Sequence, residues 1–178
     1  MTRLSVPWVW LGLSILPCTG WALSSDRDQP MAIEADRVEL DDTAGVSVYR
    51  GNVKVTQGTL VLTGDSMTVY NKGDKVQKVI MLGKPATYRQ RPDNKDKDVR
   101  AKALRMEYYT TPERIILLKQ AEVEQEGDRL RSERIEYDVA KDKVNAGTND
   151  PKGRVRIVIQ PRPEKKQQEK KQQENDRP

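Results

Sequence analysis

Apolar and polar residues alternate along most of the chain between positions 31 and 160. The stretch at 50–70, R-G-N-V-K-V-T-Q-G-T-L-V-L-T-G-D-S-M-T-V-Y, places apolar residues at Val53, Val55, Leu60 and Leu62, and glycines separate its runs. A period of two is typical of strands that bury one face, and glycine marks turns and bulges between them. The pattern predicts short antiparallel strands, roughly a dozen or more in number, and no helix.

The segment at 31–41, M-A-I-E-A-D-R-V-E-L-D, changes phase in its middle, since Met31 and Ile33 have one parity and Val38 and Leu40 the other. A bulge or bend near Asp36 would bring both sets to one face. Further along, the segment at 91–98 has no apolar residue, which predicts a solvent loop between two parts of the domain.

The second part of the chain repeats the first at a constant offset. V-K-V-T-Q at 53–57 falls on A-E-V-E-Q at 121–125, and D-K-V at 74–76 recurs at 142–144. Nearer the end the offset widens slightly, and G-K-P-A-T-Y-R-Q at 83–90 aligns with G-R-V-R-I-V-I-Q at 153–160. We expect one domain over 23–160 made of two repeats, at about 31–90 and 99–160.

Aliphatic strand faces must be covered, and two facing sheets cover them most simply. The expected fold is therefore all-β, a sandwich or jelly roll of two facing antiparallel sheets, internally duplicated.

The N-terminal segment at 1–22 has one positive charge, an apolar run from Leu4 to Leu16, and small residues at Gly20 and Ala22. This predicts a cleaved signal peptide over 1–22 and export from the cytoplasm. A membrane anchor is the alternative, but the run is shorter than the roughly 20 residues that a spanning helix needs. Cys18 raises a lipoprotein as a third, weaker option. The polar segment at 161–178, closed by prolines, predicts a disordered tail.

Composition removes several classes of function. The chain has no His, and its one Cys lies in the predicted signal peptide, so the common general base and the thiol nucleophile are missing. Between Leu23 and Gln160 there are 25 basic and 23 acidic residues, so the net charge there is +2 and the charges are interspersed. A nucleic-acid binder clusters its basic residues on one face, and we expect no nucleic-acid partner.

Paired carboxylates and an Asp-rich loop are the remaining candidates for chemistry. Glu122 with Glu124, or Asp41 with Asp42, could be glycosidase acids, but these residues occupy outward strand positions or turns. Calcium binding at 93–98 is disfavoured because lysines alternate with the acids. The sequence predicts no metal, no cofactor and no enzyme activity.

The apolar interior can be interpreted in two ways. It could be an ordinary packed core, or it could hold lipid, since each methylene removed from water contributes about 0.8 kcal/mol. Alternation alone favours the packed core.

Three segments resemble the OstA/LptA family of periplasmic lipopolysaccharide-transport proteins: D-Q-P-M-A-I-E-A-D at 28–36, G-N-V-K-V-T-Q-G-T-L at 51–60 and G-K-P-A-T-Y at 83–88. The resemblance extends from about Asp28 to Gln160, and it is looser in the second repeat. It implies a β-jelly roll open at both ends, located in the periplasm, with lipopolysaccharide acyl chains in its interior. It also implies partners: LptC at the N-terminal edge, LptD at the C-terminal edge, and further copies joined head to tail.

The resemblance assigns the lipid-facing interior to Met31, Ile33, Tyr88 and Tyr108. Strand parity adds further interior candidates, which are Val53, Val55, Leu60, Leu62, Met106, Ile157 and Ile159. The protein-interaction edges are predicted at Met31, Ile33, Val38, Leu40, Val155, Ile157 and Ile159. The alternatives to a lipid carrier are an envelope-assembly protein that binds only other proteins and, third, a carbohydrate-active enzyme.

Overall fold

The computed structural model describes residues 26, 28–92, 95–148 and 153–161, and the regular elements in these residues are β-strands. The strands are β1 Met31–Glu34, β2 Arg37–Asp41, β3 Val46–Gln57, β4 Leu60–Lys72, β5 Lys75–Gln90, β6 Val99–Thr110, β7 Glu113–Gln125, β8 Asp128–Asp138, β9 Lys143–Gly147 and β10 Arg156–Val158. In the part of the chain described, no helix is long and apolar enough to cross a membrane.

The strands form one antiparallel sheet in the order β1-β3-β4-β5-β6-β7-β8-β10. β2 also pairs with β3, and β9 also pairs with β8. Each side of the sheet therefore ends in two short edge strands: β1 and β2 on the N-terminal side, and β9 and β10 on the C-terminal side.

A line of bulges crosses the sheet at mid-strand. The register shifts between Arg50 and Val53 in β3, and the other junctions between long strands shift at the same level, at 63–66, 82–86, 102–105 and 118–121. At this level β3 uses the left-handed conformation at Gly51 (φ 78°) and Asn52 (φ 46°). Bulges bend strands and increase their twist, so this line, here called the crease, folds the sheet.

The crease divides the sheet into two leaves. Leaf 1 consists of the segments 31–34, 53–57, 60–64, 86–90, 99–103, 121–125, 128–132 and 156–158. Leaf 2 consists of the segments 37–41, 46–50, 66–72, 75–82, 105–110, 113–118, 134–138 and 143–147.

The two leaves share one hydrophobic core. It contains Val53, Ala86 and Ala103 from leaf 1 together with Met67 and Met81 from leaf 2. Gly64 lies where the leaves meet, and a Cβ on it would be 2.6 Å from the Met81 sulfur. The predicted all-β jelly roll with facing sheets is confirmed, and the facing sheets are two leaves of one continuous sheet.

For the described residues, the prediction of roughly a dozen or more short strands was wrong. The described residues contain ten strands, and six of them are 11 to 16 residues long. β3 and β5 continue as bulges through Gly51–Asn52 and Gly83–Lys84–Pro85, although glycine in the sequence pattern was expected to separate short strands. The expected bend near Asp36 is present, because β1 and β2 are separate strands and the Asp36 N–H donates to the Gly51 carbonyl at 3.0 Å.

The strand pairing has the same spacing as the sequence repeat. β3 pairs with β4 as β7 pairs with β8, so that the pair Val55–Leu62 corresponds to the pair Val123–Leu130. Near the C-terminus, the strand pairing gives an alignment of the two repeats that differs by one residue from the alignment taken from the sequence. Leu62 pairs with Tyr88 and Leu130 pairs with Ile157, so Tyr88 corresponds to Ile157 and not to the next residue, Val158.

Two predicted segments fall largely outside the described residues. These are the signal peptide over 1–22 and the tail over 161–178, of which the structure describes Pro161 alone. Both stay predictions. In the loop at 91–98, residues 93 and 94 are also outside the described set.

Candidate functional site

Directly paired residues of neighbouring strands point to the same face of a sheet, so the ladder shows which side chains line the interior. One interior row crosses leaf 1 without interruption from edge to edge. This leaf 1 row consists of Ile33, Val55, Leu62, Tyr88, Ala101, Val123, Leu130 and Ile157.

Two interior rows cross leaf 2 in the same way. The lower row, next to the crease, consists of Val38, Tyr49, Met67, Met81, Met106, Leu117, Ile135 and Ala146. The upper row, farther from the crease, consists of Leu40, Ser47, Val69, Val79, Tyr108, Ile115, Tyr137 and Val144.

Burial falls with distance from the crease. Val53 and Met81 are 1% exposed, and Ala86 and Ala103 are fully buried. The middle residues of the upper row, including Val79 and Tyr108, are only half-buried. Most of the leaf 1 row is half-buried as well, and these half-buried members, from Leu62 to Leu130, pack against the core. The interior is therefore a groove with a packed floor at the crease and apolar walls that open away from it.

Most of the predicted interior residues lie on the walls, floor and ends of this groove. Val53 lies at the crease, Met106 belongs to the lower row and Tyr108 to the upper row. The leaf 1 row contains the predicted residues Ile33, Val55, Leu62, Tyr88 and, at its end, Ile157. Met31 and Leu60 share a row at the outer end of leaf 1, since both pair with Gln57. Contact of any of these residues with lipid stays a prediction.

The sequence prediction omitted much of the groove. Met67, Met81 and Val79 carry the same alternation as the residues that were named, and so do three pairs in the second repeat: Ile115 with Leu117, Val123 with Leu130, and Ile135 with Ala146. Their parity could have identified them. Their position in an unbroken row depends on long-range register, which parity alone does not give.

The predicted edge residues lie on edge strands or beside them. Val38 is 53% exposed, Leu40 63% and Ile157 63%, so the apolar rows remain open to solvent at both edges. Val155 and Ile159 flank β10 and are 39% and 71% exposed. In the described residues each of the four edge strands has a partner on one side alone. An apolar edge strand of this kind is a site for pairing with another chain.

A polar cluster secures the outer end of leaf 1. Asp26 is 6% exposed, and it accepts hydrogen bonds from the Thr59 N–H at 2.8 Å, the Thr59 hydroxyl at 2.7 Å and the Gln90 amide at 2.7 Å. Burial alone would raise the pKa of Asp26, but these hydrogen bonds together lower it. Tyr88 donates to Gln90, and burial followed by the charge of Asp26 raises the pKa of the Tyr88 phenol to about 12.

The outer face of leaf 1 is polar, and it contains the carboxylates that were considered as glycosidase acids. Glu122 and Glu124 line a surface hollow of about 390 Å³. Glu122 forms ion pairs with Lys102 at 3.1 Å and Arg131 at 2.8 Å, and Glu124 pairs with Arg129 at 2.7 Å. Burial raises the pKa of Glu122, but hydrogen bonds and charges from Arg131 and Lys102 outweigh it and lower the pKa. A glycosidase acid needs a raised pKa, so Glu122 is unsuited to that role.

Among the described residues no group of three or more His, Cys, Asp or Glu side chains is placed to hold a metal ion. The feature that stands out is the groove. Fold and groove define a class of protein: β-jelly rolls with an open apolar interior that extends between two unpaired edges.

Comparison with known proteins identifies the family. Residues 32–143 match the family model described as "LptA/(LptD N-terminal domain) LPS transport protein". The chain belongs to this family.

Two relatives and one solved structure illustrate the similarity. The chain is 45% identical over 149 residues to the lipopolysaccharide export system protein LptH of Pseudomonas aeruginosa, covering 79% of this chain and 85% of the relative. It is 34% identical over 143 residues to the lipopolysaccharide export system protein LptA of Escherichia coli K12, covering 79% and 76%. The crystal structure of Pseudomonas aeruginosa LptH, described as the LptA-homologous periplasmic component of a lipopolysaccharide transport device, matches with a TM-score of 0.68 and 42% identity, covering 77% of this chain and 99% of that one.

Proposed function

We propose that this protein carries lipopolysaccharide across the periplasm and that the acyl chains lie in the groove between the two leaves. The observation that carries the proposal is the continuity of the leaf 1 row and of the lower row of leaf 2 from one edge to the other. A closed core would not need apolar residues on its last strands, whereas a conduit needs them there.

The burial pattern supports binding on the walls of the groove. The floor at the crease is filled by side chains such as Met81, so acyl chains lie against the half-buried residues above it, such as Leu62, Val79 and Tyr108. An acyl chain of about a dozen methylenes gains roughly 10 kcal/mol when it leaves water. This gain is enough to hold an acyl chain in an aqueous compartment if the walls shield it.

The edges provide the contacts along the transport route. The N-terminal edge, β1 with β2, binds LptC at the inner membrane, and the C-terminal edge, β9 with β10, binds LptD at the outer membrane. Copies of the chain join head to tail between them. Support comes from the exposed apolar residues on both edges, among them Val38 and Ile157. The predicted signal peptide delivers the protein to the periplasm.

Site-specific photo-crosslinking tests the groove with a matched control on the same strands. A photo-reactive residue at Leu62 or Tyr88 faces the groove. At Thr63 or Thr87, one residue along in each strand, it faces outward, and these two threonines hydrogen-bond to each other at 2.6 Å. We expect lipopolysaccharide adducts at the first two positions and little product at the second two. Equal adduct yields at all four positions would contradict the proposal.

A second candidate, an assembly protein that binds only other proteins, is favoured by the exposed apolar edges alone. The same four variants distinguish it. In that case the proteins would assemble normally and yield no lipid adduct at Leu62 or Tyr88.

A further inference from the structure

The crease is built from different residues in the two repeats. In β3 the left-handed bulge consists of Gly51 and Asn52, whereas in β7 the same two places of the repeat are occupied by Lys119 (φ 63°) and Gln120 (φ 54°). Glycine has no Cβ and asparagine tolerates this conformation, but lysine and glutamine adopt it at a steric cost. The crease therefore holds more backbone strain in β7 than in β3.

The bulge of β3 is also held by a neighbouring side chain. The Asn52 amide donates to the Asp36 carboxylate at 2.9 Å. In the second repeat the place of Asp36 is taken by Leu104, which has no acceptor on its side chain. Within the described part of the chain, the side chains of the two strained residues of β7 are exposed and form no hydrogen bond. The hydrogen bond from the Ser132 hydroxyl to the Gly147 carbonyl, at 2.7 Å, joins β8 to β9 and does not involve the bulge of β7.

The floor between the leaves is built from smaller side chains in the second repeat. Ala121 occupies the place that Val53 occupies in the first repeat, and Ala146 corresponds to Met81 through its pairing with the neighbouring strand. Met81 is 1% exposed, whereas Ala146 is half-buried. Since burial and dispersion both increase with the number of apolar atoms in contact, the leaves are held together less strongly in this half.

We propose that the two leaves move apart at the crease of the second repeat, with Lys119 and Gln120 as the hinge, and that the groove widens there when lipid enters. The entry of lipid rests on the function proposed above, whereas the hinge does not. A return of the two residues to extended backbone relieves their strain and straightens β7, which carries its leaf 2 segment away from leaf 1. At Gly51 and Asn52 the same motion relieves little strain and loses the hydrogen bond to Asp36.

The opening requires no strand to separate from its neighbour. β5 and β6 pair along both leaves and so join the two repeats across the whole width of the sheet. Movement in the second repeat alone therefore changes the twist of the sheet between its two halves. The first half keeps a fixed width, and the second half adjusts to what the groove contains.

Distances between paired spin labels test the hinge in the mature protein. Labels on Thr43→Cys and Gln57→Cys span the crease along β3, and labels on Thr111→Cys and Gln125→Cys occupy the same places of the second repeat and span it along β7. The one native cysteine, Cys18, lies in the predicted signal peptide, so the mature chain has no competing thiol. We expect a narrow distance distribution along β3 and a wider one along β7, which shifts to longer distances when lipopolysaccharide is added.

An exchange of the bulge residues provides the matched variant. Lys119→Gly with Gln120→Asn gives β7 the residues of β3, and it should narrow the distribution along β7 and leave that along β3 unchanged. Because the exchange relieves strain, it should also raise the folding equilibrium constant roughly fivefold in urea unfolding. Equal widths along the two native strands, or a width along β7 that does not respond to the exchange, would overturn the hinge. An unchanged or lower folding constant would show that the bulge is not strained and would overturn it as well.

Photo-crosslinking at Leu62 and at its counterpart Leu130 tests the link to lipid. We expect lipopolysaccharide adducts at both positions of the native protein. In the exchanged variant the yield should fall severalfold at Leu130 and change little at Leu62. An unchanged yield at Leu130 would overturn the entry of lipid through the hinge. If neither position gives an adduct in the native protein, the proposed function fails, and the label distances still decide whether the leaves move.

Discussion

Replacing Met81 by Ala tests whether the groove has a packed floor. Met81 is 1% exposed, pairs with Met67 and Met106, and its sulfur fills the space beside Gly64 where the leaves meet. Truncating a fully buried Met leaves a cavity that neighbouring side chains fill only in part, and such changes cost about 2–5 kcal/mol. We expect the free energy of unfolding to fall by about 3 kcal/mol, within that range.

Urea unfolding of the purified protein measures this change, with the slope of the transition reporting whether the surface exposed on unfolding is preserved. The control is Leu82→Ala, the next residue in β5, which faces outward and is 39% exposed. We expect Leu82→Ala to cost about 1 kcal/mol or less, because a half-solvated side chain leaves no enclosed cavity.

Equal losses for Met81→Ala and Leu82→Ala would refute a packed floor and indicate a groove that extends down to the crease. If the floor is packed, Met81→Ala should leave lipopolysaccharide adducts at Leu62 in place, since the walls do not depend on the Met81 side chain. This pair of variants separates the structural part of the interior from the part proposed to hold lipid.

Three further predictions concern the backbone and the polar cluster. Because the pKa of Asp26 is lowered in the folded state, its contribution to stability is full above its unfolded pKa of about 3.9 and is lost as the pH falls below that value. Asp26→Asn should therefore reduce the loss of stability at acid pH, and an unchanged acid dependence would contradict this. Gly51→Ala should destabilise the protein by about 1–3 kcal/mol, because φ is 78° at this residue and the new Cβ would lie 2.1 Å from an Asp36 oxygen. In the same urea assay Gly73→Ala should cost less, because its new Cβ would meet no atom within 4 Å. Because the pKa of the Tyr88 phenol is raised in the folded state, its contribution to stability is full below the unfolded phenol pKa of about 10 and is lost as the pH rises towards about 12. Ultraviolet titration should show a late phase near pH 12 that Tyr88→Phe removes, and a phase that persists in this variant would rule out the assignment.

The local sequence pattern predicted which residues face inward, whereas the ends of the strands and the contacts between distant residues depend on long-range pairing. Alternation placed Val53, Val55 and Met106 inside, and the structure buries all three. The phase change near Asp36 was predicted for the same reason, because parity is a local property.

The number of strands was predicted wrongly because glycine has two uses in β structure. Gly58 lies in the two-residue turn between β3 and β4, whereas Gly51 lies in a bulge within β3. Both positions have a positive φ, and the sequence around them looks alike. Which one ends a strand depends on whether the neighbouring strand continues to pair beyond it.

Contacts between residues that are distant in the sequence could not be predicted from the sequence pattern. Asp26 binds Thr59 and Gln90, which are 33 and 64 residues away. On the outer face of leaf 2, Glu107 is only 8% exposed. Burial raises the pKa of Glu107, but hydrogen bonds from Tyr109 and Arg105 and the charges of Arg105 and Lys78 lower it overall. An outward position in an alternating strand predicts a solvated carboxylate, and only the neighbouring strands show that this one is enclosed.

The two edges of the sheet differ in charge, and this has a consequence for the length of an assembly. The outward charged residues are Glu34, Arg37, Glu39 and Asp41 on the N-terminal edge strands, which makes that edge acidic, and Lys143 and Arg156 on the C-terminal edge strands, which makes that edge basic. In the head-to-tail assembly proposed above, a row of joined copies would end in one acidic edge and one basic edge, as does a single copy, however many copies lie between. Each added copy leaves the same two kinds of end free, so the edges themselves would not limit the number of copies in a row. Under that proposal, the length of the row would be set by the distance to be crossed and by the partners that bind its two ends.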